Sequence, residues 1–287
     1  MIMKPLASNL VLHASATVDL QMHTTYSDGT WTPEELIDYL VGEQFGLVAV
    51  TDHDRVDSVA NVQRLGAQRQ LPILAAVEMS TSWKGGFTDL LCYGFDPERN
   101  ELHELAQAVV LRQQEITQEV YEELQRNGYA FSRQHEVLKE ERGEPLQPRD
   151  LELLLQHHGY STGPGSIGQI MTDAGFYFAT NDIGVVVDAA HRSGAVCLIA
   201  HPGRGGDFTL YEVDLLDELR NEAPIDGLEA HYPAHTPEQT AMYLNYAQEH
   251  NLLTSSGSDS HGPEKKPIKY RAELSRQLLE RVGIRVE

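Results

Sequence analysis

The chain has 287 residues, 41% of them hydrophobic, enough for one large α/β domain or for one domain carrying an insertion. Lysine and arginine total 22 against 43 aspartates and glutamates, a formal net charge of -21. That balance excludes broad electrostatic adhesion to nucleic acid, which needs a basic stripe. It leaves room for a small phosphorylated ligand held by metals and one or two arginines, and part of the acidic surplus can itself ligate cations. Cys92 and Cys197 both sit inside apolar runs and read as buried, reduced thiols rather than a disulfide framework. No apolar run approaches the ~18 residues of a membrane span.

The N-terminal segment, with Lys4, Leu6, Ala7 and then Ala14-Ser15-Ala16, has a faint likeness to a secretory leader. Ser8, Asn9 and His13 interrupt its apolar stretch, so it reads as an extension or edge strand of a cytoplasmic protein. A strand is expected over 17–22. A helix over 32–44 opens on Thr32-Pro33-Glu34-Glu35, with threonine as N-cap and proline at the first helical position, and closes at Gly46. An apolar strand over 47–51, a helix over 58–70 and strands over 72–77 and 89–95 follow. Apolar strands alternating with helices imply a parallel sheet or barrel.

From 98 to about 180 the pattern changes to Gln, Glu, Leu and His. Helices are expected over 101–127, ending at Gly128, and over 150–158, ending at Gly159, with a turn at Thr162-Gly163-Pro164-Gly165. The alternation then resumes: helix 183–193, strand 195–201, helix 210–223, strand 227–231, helix 237–250 and strand 252–256. The expected division is an α/β domain of 17–95 and 185–287 and a mostly helical insertion of 96–184.

Polar residues stand at nearly every strand end: Gln21 and His23, Asp52 and His53, Glu78, His201, Glu229 and His231, Asp259 and His261, with Asp89 at a strand start. In parallel α/β barrels the C-terminal strand ends share one face, and active sites sit there. Residues i and i+2 of a strand share a face, so Gln21 converges with His23, and Asp259 with His261. Asp28 lies in the turn Ser27-Asp28-Gly29, which can fold its carboxylate over the strand end. Mixed imidazole and carboxylate donors suit Zn, Mn or Fe, and this many donors suit two or three ions. Glu78 can bridge two of them. Such clusters support hydrolysis by metal-activated hydroxide.

These residues carry a family resemblance. The run Asp19-Leu20-Gln21-Met22-His23-Thr24-Thr25-Tyr26-Ser27-Asp28-Gly29 resembles the opening motif of the PHP (polymerase and histidinol phosphatase) phosphoesterases. Thr51-Asp52-His53-Asp54 resembles their second motif, Val77-Glu78 the bridging glutamate, and Ala200-His201-Pro202-Gly203-Arg204 and Gly257-Ser258-Asp259-Ser260-His261-Gly262 the two late motifs. The resemblance implies a distorted seven-stranded (β/α)7 barrel holding up to three metals. The insertion resembles that of the group with nucleoside 3',5'-bisphosphate phosphatases and 5'-end ribonucleases, which implies a cap over the site. The expected ligands are Gln21, His23, Asp28, His53, Glu78, Asp89, His201, Asp259 and His261.

The sequence departs from the family pattern at three places. Gln21 stands where the family opens with histidine, and its amide oxygen is a weaker ligand than imidazole. Asp89 stands where a histidine precedes the Gly94-Phe95-Asp96 turn, which would either retune the site toward harder ions such as Mn or Mg or cost it one ion. In the insertion, Pro148-Arg149-Asp150-Leu151 keeps the arginine of an Arg-x-His triplet, but Leu151 replaces the histidine.

Arg204 is expected to grip phosphate bidentately and Arg149 to assist it. His235 stands where related phosphatases place a substrate-side histidine, as phosphate contact or general acid, and can also be read as a helix-cap neighbour. His201, Arg204, His235 and Asp259 are thus the expected catalytic residues. Asp52 is expected to orient a ligand, and Lys265-Lys266 reads as a charged turn. Three readings stay open: a phosphatase acting on a phosphorylated small molecule, a nucleotide or a short oligonucleotide end; a decayed module that binds metal or nucleotide without turnover; and an amidohydrolase. The oligomeric state cannot be read from the sequence.

Overall fold

The computed structural model describes residues 7, 9–138, 145–160 and 166–287. The expected turn at 162–165 lies outside them, as do Lys4 and Leu6 of the N-terminal segment. By compactness the chain divides into two units, one of Met1–Ala106 with Asn181–Glu287, the other Gln107–Thr180.

In chain order, the first unit begins with β1 (Val11–Leu12), β2 (Thr17–Asp19), α1 (Pro33–Gly42), β3 (Leu47–Ala49), α2 (Val56–Gln68), β4 (Ile73–Leu74) and β5 (Ala76–Met79). The hairpin β6 (Thr81–Trp83) and β7 (Gly86–Phe87) precedes β8 (Leu90–Tyr93). Helix α3 (Leu102–Arg126) contains the unit boundary, and α4 (Gln134–Leu138), α5 (Pro148–His157) and α6 (Ser166–Asp173) belong to the second unit. The first unit then resumes with β9 (Asn181–Asp182), α7 (Ile183–Arg192), β10 (Val196–Ile199), α8 (Val213–Glu222), β11 (Gly227–His231), α9 (Pro237–His250) and β12 (Leu253–Ser256). Its end is built from β13 (Tyr270–Arg271), a 3-10 turn over Ala272–Ser275, α10 (Arg276–Arg281) and β14 (Arg285–Val286).

Capping chemistry fixes the helix starts. Thr32 accepts from the Glu35 amide while Glu35 accepts from the Thr32 amide, with Pro33 following, and Thr236, Pro237 and Gln239 repeat the device on α9. Thr32→Ala is expected to cost about 1 kcal/mol of stability, read as a lower urea midpoint at unchanged slope.

Strands β12-β11-β10-β8-β5 form one sheet and β13-β2-β3-β4 another. The all-parallel expectation fails at β8, which runs antiparallel to both β5 and β10. The reason is chain length. A parallel return needs a crossover of a dozen or more residues, and only residues 80–89 separate β5 from β8. Part of that link is the β6–β7 hairpin, turned at Lys84-Gly85 with φ of 49° and 82°, the two positive values a tight two-residue turn demands. The N-terminal segment does form an edge strand, β1, paired in parallel with β14.

The sheets are linked by short backbone contacts at the strand ends that carry the polar residues. Met22 pairs with Ser260, and His53 with Glu78, as isolated parallel bridges. The amides of Leu20 and Asp259 donate to the carbonyls of Ser256 and Gln21. The cores are apolar and complete: Val77, Cys92, Val187, Cys197, Ile199 and Leu228 pack on one side, and Val18, Leu47, Leu91, Leu198 and Leu278 on another. The second unit has a core of its own, with Ile116, Val120, Leu124, Leu151, Leu154 and Met171 all buried. Cys92 and Cys197 face each other across β8 and β10 as free, buried thiols.

Candidate metal centre

Each site residue is delivered by a strand end or the turn beside it. Gln21 and His23 follow β2, His53 follows β3, Glu78 lies in β5, Asp89 precedes β8, His201 follows β10, and Asp259 and His261 follow β12. His201 and Asp259 take positive φ, 31° and 52°. Such conformations are uncommon outside glycine, and here they turn the chain sharply where a ligand is presented.

Glu78 is at the centre. Its Oε2 lies 3.0 Å from His23 Nε2 and accepts from Gln21 Nε2 at 3.0 Å, and its Oε1 lies 3.1 Å from His201 Nε2. Asp259 Oδ1 is 3.3 Å from His23 Nε2 and 3.4 Å from His261 Nδ1. Asp28 Oδ2 is 3.2 Å from His261 Nε2. The His23 ring stacks against His53 at 4.7 Å and His261 at 4.1 Å between centroids. Three clusters can each gather donor atoms within 4.8 Å of one another: His23, Asp28, His53 and His261; His23, Glu78 and Asp259; and His53, Glu78 and Asp89.

The electrostatics of the cluster suit a cation. Burial would depress His23, yet the Asp259 and Glu78 carboxylates outweigh it and hold the ring well above its ordinary value. Burial would likewise raise Glu78 and Asp259, but the neighbouring imidazoles hold both below the carboxylate range. Asp89 has no such compensation. Burial pushes it up to about 8, opposed by His53 and reinforced by Glu78 and Asp54. Among the described residues His23 Nδ1 and His53 Nδ1 are buried without a hydrogen-bond partner. Buried polar atoms without partners are costly, and a metal is the partner that this donor set fits.

The surrounding residues hold the cluster in place. Asp52 accepts from the Thr24 amide, the Thr24 hydroxyl and the Ser27 hydroxyl, which fixes the loop that carries Asp28. Glu229 is buried beneath, accepts from the His201 amide at 3.0 Å, and burial pushes its carboxyl well above the usual range. Asp19 accepts from the amides of Ser258 and Ile268, and burial raises it to about 7.

Not every expected role matches the geometry. Gln21 turns its amide nitrogen to Glu78 and leaves Oε1 buried without a partner, so acting as a ligand requires the amide to rotate. His235 has no free ring nitrogen. Its Nε2 accepts from the Gly203 amide at 3.0 Å, its Nδ1 faces the Ala230 carbonyl at 3.2 Å, and burial lowers it to about 4. A neutral ring bonded to backbone on both sides positions the Gly203 turn and does not meet phosphate in this geometry. Arg204 is exposed, with its guanidinium 4.3 Å above the Phe208 ring. Arg149 lies in the first turn of α5 in the second unit, whose core buries Leu151. Two residues near the cluster escaped sequence reasoning: the Tyr232 hydroxyl, 3.3 Å from Asp259 Oδ2, and Lys265 Nζ, 3.2 Å from the same atom.

Comparison with known proteins gives a consistent answer. The chain is 27% identical over 264 residues to a 3',5'-nucleoside bisphosphate phosphatase of Chromobacterium violaceum, covering 86% of this chain and 88% of that one. It is 26% identical over 271 residues to the 5'-3' exoribonuclease Rnm of Escherichia coli K12, covering 85% of each. A solved structure from Bifidobacterium adolescentis, assigned as a metal-dependent phosphoesterase, superposes with a TM-score of 0.74 at 22% identity, over 93% of this chain and 96% of that one. In sequence the chain is thus similar to a nucleotide phosphatase and an exoribonuclease, and in fold to a metal-dependent phosphoesterase. No family model matches it. Among the described residues no helix is long and apolar enough to cross a membrane.

Proposed function

We propose that this chain hydrolyses a phosphate monoester of a nucleotide or of a short oligonucleotide end, with divalent metals held by the His23–Glu78–His53 cluster. The observation that carries the reading is the way the three donor clusters overlap. His23 is common to the first and second, Glu78 to the second and third, and His53 to the first and third. A carboxylate has two oxygens and can serve two ions, whereas a neutral imidazole nitrogen serves one. One ion would thus be held by His23, Glu78 and Asp259, and a second by His53, Glu78 and Asp89. Asp28 and His261 are left for a weaker third. Mixed nitrogen and oxygen donors fit Mn, Fe or Zn.

Such ions lower the pKa of bound water and neutralise charge developing on phosphoryl oxygen. The chain's own residues do the rest. Glu78 and Asp259 fix His23 between them, Asp52 holds the Asp28 loop, and His235 with Gln239 clamps the Gly203 amide and carbonyl, which sets the turn from His201 to Arg204. Arg204, beside that turn, is the phosphate-orienting cation of this reading. The seven-stranded barrel is proposed on the same footing: β2, β3, the β4–β5 run, β8, β10, β11 and β12 give seven strand positions, and the Met22–Ser260 and His53–Glu78 bridges support closure.

The experiment is hydrolysis of a chromogenic phosphate monoester and of adenosine 3',5'-bisphosphate by the Mn-loaded protein. Turnover is expected, and Asp259→Ala and His53→Ala are each expected to abolish it. Full activity in both variants removes the reading. Binding of phosphate without turnover under any metal favours a non-catalytic module instead, and turnover of amides alone favours an amidohydrolase.

A further inference from the structure

We propose that Lys265 binds the phosphoryl group of the substrate at the Asp259 edge of the metal cluster. The proposal rests on the phosphoesterase reading above and adds a residue that none of its motifs contains. The tight turn Gly262–Lys265, closed by the Lys265 amide on the Gly262 carbonyl at 3.0 Å, folds the lysine back over the strand end it has just left. Its Nζ reaches Asp259 Oδ2 at 3.2 Å and lies 5.5 Å from the Tyr232 ring centroid.

The two oxygens of Asp259 have different neighbours. Oδ1 faces His23 and His261, the imidazoles of the cluster, while Oδ2 faces the Tyr232 hydroxyl and Lys265. An ion drawn in by the imidazoles meets Oδ1, and the ammonium stays on the far edge.

That arrangement has a cost. An ammonium beside a metal-ligating carboxylate weakens that carboxylate's hold on a cation. A surface ion pair contributes too little stability to offset the loss, since such pairs are worth about 0–1 kcal/mol. The charge becomes useful when an anion lies over the metals, because Lys265 then neutralises part of it. The Lys265 side chain is 43% exposed, so a ligand in solution can reach it. In a chain with 43 acidic and 22 basic residues, Arg204 is one cation beside the cluster, close enough for its charge to act on both Asp89 and Tyr232, and Lys265 is another. Lys266, its neighbour, points elsewhere, with Nζ 5.7 Å from the Tyr39 ring centroid.

The test measures two affinities of the full chain by calorimetry: Mn2+ for the metal-free protein, and inorganic phosphate for the Mn-loaded protein. Lys265→Ala is expected to weaken phosphate binding about tenfold, the lower range for one charge-assisted contact. Mn2+ binding should stay unchanged or tighten. Lys265→Arg is expected to restore phosphate binding, and Lys266→Ala, which removes the same charge, to leave it intact. Phosphate affinity within twofold of wild type in Lys265→Ala overturns the proposal. So does a parallel loss of Mn2+ affinity, which would make Lys265 a support for Asp259, and so does a Mn-loaded wild type that binds no phosphate. Lys265-dependent phosphate binding in a protein that hydrolyses no phosphate ester would remove the hydrolase reading and leave this one standing.

Discussion

Glu78→Ala is expected to lower phosphate ester hydrolysis by more than about a thousandfold. Two of the three donor clusters contain Glu78, so one change removes the bridge between both proposed ions. It also strips His23 and His201 of a carboxylate 3.0 and 3.1 Å away. Metal analysis of the purified variant, with rates at saturating Mn2+, checks the expectation. Wild-type metal content with wild-type rates would show that Glu78 is only a structural carboxylate. Glu78→Gln separates shape from charge: it keeps the volume and one acceptor but cannot bridge two cations.

The second large effect is a metal-linked pH dependence of stability. Burial raises Asp19, Asp54 and Asp89 to about 7, 6 and 8, against about 4 in an unfolded chain. An acid whose folded value is raised keeps its proton in the folded state when the unfolded state has lost it. Its contribution is therefore complete below pH ~4 and declines as pH rises toward 8. His23 works in the same direction, since its raised value gives stability below pH ~6.5 that fades on going alkaline. Glu78 and Asp259 act oppositely, but only in acid, where their depressed values make protonation destabilising. The metal-free protein should thus melt lower at pH 8 than at pH 5.5, by about 5 °C or more. Saturating Mn2+ should raise the melting temperature more at pH 8 than at pH 6, because metal replaces protons. Asp89→Asn should flatten the metal-free profile and shrink the Mn2+ shift. A Mn2+ shift unchanged by Asp89→Asn would take Asp89 out of the ligand set.

Much of the site was legible because strand chemistry and ligand chemistry share a period. Apolar runs such as Val48-Ala49-Val50 locate a strand, and the ionisable residues that follow it, Asp52 and His53, then fall at its mouth. The capping signal at Thr32 was equally local. What escaped had no local signature. The reversal of β8 depends on the length of its link. The final elements β13, α10 and β14 are short, and tertiary pairing rather than periodicity makes them. The contact of Lys265 with Asp259 depends on the Gly262–Lys265 turn. The two bonds that tie His235 to Gly203 and Ala230 involve backbone atoms, which no side-chain pattern reveals.

The reversed strand has one more consequence. In a sheet whose members all run the same way, a residue before a strand begins emerges at the opposite end from one after a strand stops. Because β8 runs against its neighbours, its leading residue, Asp89, emerges beside His201, which trails β10. Slipping β8 by a single position would present Thr88 or Leu90 there instead, and would turn every side chain of the strand to its other face. The donor at this corner is therefore set by the number of residues between Met79 and Leu90. Adding or removing one residue in that link should change which ion the protein prefers while each of the other ligands stays where it is.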